Sequence, residues 1–175
     1  MKVCWRAVLV VALAAQCGCA GNVAYHDSNP AVDFDHFKTF SWITEHPLVL
    51  TQGMNVSLEG RLQQTARDLL VAKGFRFVDA TAQADFVVGF GVGASDKARI
   101  DAYPADYAGQ WSWRAHGPRE PSRHEVAGRL VVDIFDVHSQ QPVWHGWSSK
   151  ALTGDADATA IRESLTAILA HFPPD

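Results

Sequence analysis

The chain has 175 residues, 47% of them hydrophobic, with 15 Lys and Arg against 19 Asp and Glu and a formal net charge of −4. That length suits one domain with a core of its own, and the acidic balance argues against nucleic acid and anionic lipid surfaces as partners. Three cysteines, at positions 4, 17 and 19, leave little scope for a disulfide framework.

The first segment reads as an export signal. Lys2 and Arg6 make a basic start, Ala7 to Ala15 an apolar stretch, and Gln16-Cys17-Gly18 leads with small residues to Cys19. The apolar stretch is about half of the roughly 20 residues that a membrane span requires, so this is a cleavable leader and not a spanning helix. Its order is that of a bacterial lipoprotein signal, with Gln16 where Leu is common, and it predicts residues 1–18 as a cleaved signal peptide with lipid attachment at Cys19. Cys4 and Cys17 then leave with the leader, no intramolecular disulfide is possible, and 13 basic against 19 acidic residues give the mature chain a charge of −6. Diacylglycerol and an N-acyl chain anchor effectively for good, at about 0.8 kcal/mol per buried CH₂. Ala20 in place of Asp after the cysteine favours the outer membrane, with the body in the periplasm.

Residues 19–24 read as an acylated tether and 25–175 as a single domain. Thr39-Phe40-Ser41-Trp42 alternates as a half-buried strand does. Pro47 and Gly53 mark a loop, after which Leu58, Leu62, Ala66, Leu69 and Leu70 fall on one helical face, with Asn55 or Ser57 as N-cap and Gly74 as the stop. Phe75 to Val78 reads as a short strand, and Ala84 to Val92 as a central strand buried on both faces. Residues from about 94 to 124 keep no period and read as an irregular aromatic loop. Leu130, Val132 and Ile134 then alternate with polar neighbours, a turn falls around His138 to Pro142, and Val143 to Ala151 returns as the second strand of a hairpin. Ile161, Leu165, Ile168, Leu169 and Phe172 form a closing helical stripe, ended by Pro173-Pro174. These pieces predict an α+β fold: a single mixed or mostly antiparallel sheet of about four to five strands, with two amphipathic helices packed on one face.

The sequence resembles the bacterial lipoproteins grouped as domain of unknown function 4136. The matching stretches are Asp33-Phe34 with Phe37-Lys38-Thr39-Phe40-Ser41-Trp42, Ala72-Lys73-Gly74-Phe75, Ala84-Asp85-Phe86-Val87-Val88, Gly128 with Leu130-Val131-Val132-Asp133, Val143-Trp144-His145-Gly146, and Ile168-Leu169 with Phe172-Pro173-Pro174. They cover nearly the whole mature chain in order. Tyr103 to Pro121 is leaner in glycine and aromatics than the family's midsection. The resemblance implies an envelope lipoprotein fold and supplies no activity and no catalytic residues.

Candidate chemistry is sparse. His26, His36, His46, His116 and His124 show no HxH, HxxxH or HExxH spacing, and a metal cluster would need His116, His124 and acids such as Asp106 to meet in space; no metal and no cofactor is expected. His145, on the strand expected to pair with Asp133 and Arg129, could form a carboxylate–imidazole pair for acid–base work, but the preferred reading is a cross-strand hydrogen bond on the solvent face. Ser148 and Ser149 follow no nucleophile elbow. Gly89, Gly91 and Gly93 lack phosphate-loop spacing and read as room for a helix or aromatic ring to come close. Tyr103, Tyr107, Trp111 and Trp113, interleaved with Arg114, Arg119 and Arg123, form the candidate binding surface, unless the loop folds back and buries its aromatics on the uncovered sheet face.

The expectation is a membrane-anchored envelope lipoprotein that is not an enzyme and holds or assembles something, with an envelope protein or cell-wall glycan as partner. A periplasmic module for glycan, lipid or a small molecule is the alternative, and a hydrolase at His145 and Asp133 is the least favoured reading.

Overall fold

The computed structural model describes residues 22–50, 57–93, 101–107, 128–152 and 156–174. Its centre is β5 (Phe86–Val92), a run of seven buried residues. β5 pairs antiparallel with β6 (Arg129–Asp136), which makes a hairpin with β7 (Pro142–Ala151). On its other side β5 pairs in parallel with β2 (Thr39–Trp42) and then, further along, with β3 (Leu48–Leu50). β4 (Arg76–Phe77) extends the sheet beyond β2, and β1 (Ala24–Ser28) lies antiparallel along β7 at the opposite edge. The strand order is β1-β7-β6-β5-β2-β4.

Seven strands are therefore present where four to five were expected. The α+β class, the mixed sheet and the two helices agree with expectation; β1 and β3 are the additions. Both are short, and β3 resumes the track of β2 along β5 after a break at residues 43–47, so neither carries a long alternating pattern of its own.

Side chains of alternate residues point to opposite faces. Phe86, Val88, Phe90 and Val92 on β5 join Leu130, Val132 and Ile134 on β6 and Trp144 on β7 in the main core. The two helices close this face. α1 (Ser57–Ala72) contributes Leu58, Leu62, Ala66 and Leu70, and α2 (Ala158–Leu169) contributes Ile161, Leu165, Ile168 and Leu169. Asp157 caps α2 by accepting from the Ala160 N–H at 2.8 Å. Gly74, at φ +99°, takes the left-handed turn that stops α1, and the Phe75 N–H beyond it reaches back to the Leu70 carbonyl at 3.1 Å. Phe172 follows α2 and is fully buried among Phe34, Phe75, Phe86 and Trp144.

Candidate functional site

The opposite face of the sheet is built differently. Register places Gly89 beside Asp133, Asp133 beside His145, and His145 beside Asp27, one row across four strands. Asp133 is 0% and His145 3% exposed. His145 Nδ1 lies 2.6 Å from Asp133 Oδ1, and the Tyr103 hydroxyl donates to Asp133 Oδ2 at 2.8 Å. Against an ionised carboxylate, which only accepts, Nδ1 would be the donor of this bond.

The cross-strand pair is thus present, but it does not lie on a solvent face. Tyr103 covers it, and this is where the glycine of β5 matters. A Cβ at Gly89 would stand 2.7 Å from the Tyr103 hydroxyl oxygen and 2.8 Å from its ring. The bare backbone lets the ring lie flat enough to reach Asp133. The ring also meets Phe135 edge-on at 5.4 Å, as Tyr107 does at 5.7 Å, and both join Ile43 and Val87 in a second, smaller apolar cluster.

Of the candidate binding surface, Tyr103 and Tyr107 are 6% and 7% exposed, so these two rings are used in packing. Trp111, Trp113, Arg114, Arg119 and Arg123 lie outside the described residues, as do His116, His124 and Cys19. Trp144 is in the main core, Trp42 packs against it, and Trp147 is 6% exposed beneath Tyr25, with ring centres 5.9 Å apart. The Ser148 hydroxyl donates to the Lys150 carbonyl at 2.7 Å.

Beside Tyr107 a groove of about 680 Å³ opens at the end of the sheet where β5 begins and β6 ends, lined by His36, Asp85, Asp106, Tyr107, Asp136 and His138 among others. His36 Nε2 is 3.6 Å from Asp136 Oδ2. Burial raises the Tyr107 hydroxyl above its ordinary pKa, and the charges of Asp106 and Asp136 raise it further. At Asp85 burial pushes upward but is outweighed: its carboxylate accepts from the Lys38 N–H, the Thr39 hydroxyl and the Thr39 N–H at 2.7–2.9 Å, and with His36 nearby it titrates below the usual range. These residues lie up to 102 positions apart, and the pairing of β2, β5 and β6, with Tyr107 packed on Phe135, brings them together.

The described histidines serve different neighbours. His46 lies 3.3 Å from Glu59, and the His26 ring stacks on His171 at 4.6 Å. Among the described residues no group of three or more His, Cys, Asp or Glu could hold a metal ion, and no helix is long and apolar enough to cross a membrane.

Residues 24–174 match the family described as domain of unknown function, DUF4136. The fold is similar to that of a DUF4136 family protein from Bacteroides thetaiotaomicron, with 12% identity, a TM-score of 0.56, and 84% of this chain and 94% of that one covered. At that identity the likeness is one of fold alone. The PelC dodecamer from Paraburkholderia phytofirmans follows at 12% identity and TM-score 0.49, covering 85% of this chain and 96% of that one. A PDZ domain protein from Parabacteroides distasonis has 13% identity and TM-score 0.48, covering 89% of this chain and 37% of that one. No curated protein matches the sequence.

Proposed function

The chain belongs to the DUF4136 family, and from that premise we propose that it works as an envelope lipoprotein, anchored through Cys19 to the periplasmic side of the outer membrane, with a structural, assembly or partner-binding role and no catalysis. The observation that carries this reading is the order of residues ahead of the domain. A basic start, an apolar stretch of about nine residues and a small residue before Cys19 stand directly upstream of a fold whose family match and first strand both begin at Ala24.

Mass spectrometry of the protein extracted from membranes tests it. The mature chain is expected to begin at Cys19 and to carry diacylglycerol and a further acyl chain, and Cys19→Ser should move it to the soluble fraction and fail to rescue a deletion strain. Full rescue by the soluble form would mean that anchoring plays no part in its work.

A second reading, a periplasmic module for a glycan, lipid or small molecule, has the groove beside Tyr107 in its favour. Carboxylates, imidazoles, a phenol and the Gln140 amide line one cavity of a size that suits a sugar or similar ligand. Calorimetric titration with cell-wall fragments tests this: heat that disappears in Tyr107→Phe supports it, and no heat with any fragment sinks it.

A further inference from the structure

We propose that the β1 edge of the sheet is the bilayer-facing surface of this domain, with Val23 and Tyr25 seated among the lipid headgroups. The inference rests on the lipoprotein reading above and adds an orientation and a contact surface to it. From Cys19 to Asn22 is three residue steps, which even fully extended span at most about 11 Å. Asn22 has no slack to add. Its side-chain nitrogen donates to the Ser164 hydroxyl at 2.7 Å, its side-chain oxygen accepts from the Lys150 N–H at 3.3 Å, and the next carbonyl, that of Val23, accepts from the Ser149 N–H at 2.7 Å. A diacylglycerol on Cys19 holds that residue at the headgroup boundary, so Asn22 and its surroundings are kept within about 11 Å of it.

What surrounds Asn22 suits such a place. Among the described residues the large exposed hydrophobics are Val23 (53%), Tyr25 (50%) and Val71 (50%). Two of the three fall within four positions of the anchor's end of the domain, and Tyr25 lies on Trp147 with its rim open. An aromatic ring with a polar tip suits the membrane–water interface. The net negative charge gives no electrostatic pull toward lipid, so the contact is imposed by the tether and by these apolar groups. An edge strand is also a hazard for pairing with other chains, and a bilayer laid along it removes that hazard. Val71 lies on α1, which packs over β4 at the far edge of the sheet, and serves as the control.

The full-length acylated protein in zwitterionic phosphatidylethanolamine–phosphatidylcholine vesicles tests the orientation. With Cys4 and Cys17 removed in the leader and Cys19 acylated, Val23→Cys, Tyr25→Cys or Val71→Cys supplies a single reactive thiol for a fluorescent probe. Lipids carrying a quencher just below the headgroup should quench probes at 23 and 25 several-fold more than one at 71. Equal quenching at all three sites, in protein whose mass includes the lipid, would overturn the orientation while leaving the anchor intact. A mass without lipid would remove the anchor and the inference with it. A probe at 25 shielded from both lipid-borne and aqueous quenchers, with the protein dimeric, would place a second copy on this edge in place of the bilayer.

Discussion

The two faces of the sheet are held by different kinds of force. The helix-covered face is sealed by non-directional burial: Phe86, Phe90, Leu62, Leu165 and Phe172 are all completely buried and touch through many small contacts. The other face has a small apolar cluster, and beside it a buried carboxylate bonded to an imidazole and a phenol. Burial of the first kind tolerates rearrangement. The second kind works only if three side chains from β6, β7 and the segment at 103 meet within tenths of an ångström, so it fixes where that segment lies more than it adds stability.

Substitutions that remove one kind of force and spare the other sharpen this contrast. The largest expected effect is from Phe86→Ala, about 3–5 kcal/mol by denaturant unfolding, because the ring contacts Phe37, Phe40, Phe75 and Phe172 and its loss leaves a cavity. His145→Ala is expected to cost nearly as much, about 3–5 kcal/mol, by leaving the buried Asp133 carboxyl without its imidazole partner. Replacing the pair together, Asp133→Leu with His145→Leu on a Tyr103→Phe background, should recover most of that loss, because neither the carboxyl nor the phenol is then left buried without a partner. A combined variant as unstable as His145→Ala would show the pair to be a source of stability, and the contrast between faces would fail. Tyr103→Phe keeps the ring and loses one bond to a carboxylate, an expected cost of about 1.5–3 kcal/mol. Gly89→Ala should cost about 1–3 kcal/mol by lifting that ring, and much less on a Tyr103→Leu background, since the three nearest atoms all belong to the tyrosine.

Sequence pattern captured the first face far better than the second. Period 3.6 in Leu58–Leu62–Ala66–Leu70 and the unbroken apolar run of β5 are local signals, so the helices, the central strand and the hairpin were legible from their own residues. Even the pairing of Asp133 with His145 could be read, because a short hairpin fixes the register of its two strands. Its burial could not be read, because the lid is Tyr103, thirty residues away, and nothing near Asp133 announces it. Two traces of it were present, the alternating glycines read as room for a helix or an aromatic ring and the reading in which the loop folds its aromatics back onto the uncovered sheet face; what they did not supply was which ring fills the space and that it reaches Asp133. The groove left no trace at all, since His36, Asp85, Tyr107 and Asp136 meet only through the sheet order. β1 and β3 were missed for want of length: in five and three residues an alternation cannot be told from chance.

The smallest expected effect concerns the seam between the two faces, where β1 meets the end of α2. His26 stacks on His171 at 4.6 Å and lies 6.3 Å from the Trp144 ring. Burial lowers its pKa from the ordinary value and repulsion from His171 lowers it further, with Asp27 opposing. The folded chain therefore releases this proton at a lower pH than the unfolded chain does. Between the two values the unfolded state binds more protons, so stability is complete above about pH 6.5 and declines as the pH falls below it. Melting temperatures of the wild type and His26→Gln, compared from pH 8 to pH 5, should converge or cross as the pH drops, with the wild type losing more. Parallel curves would mean that the two rings share this place without sensing each other's charge.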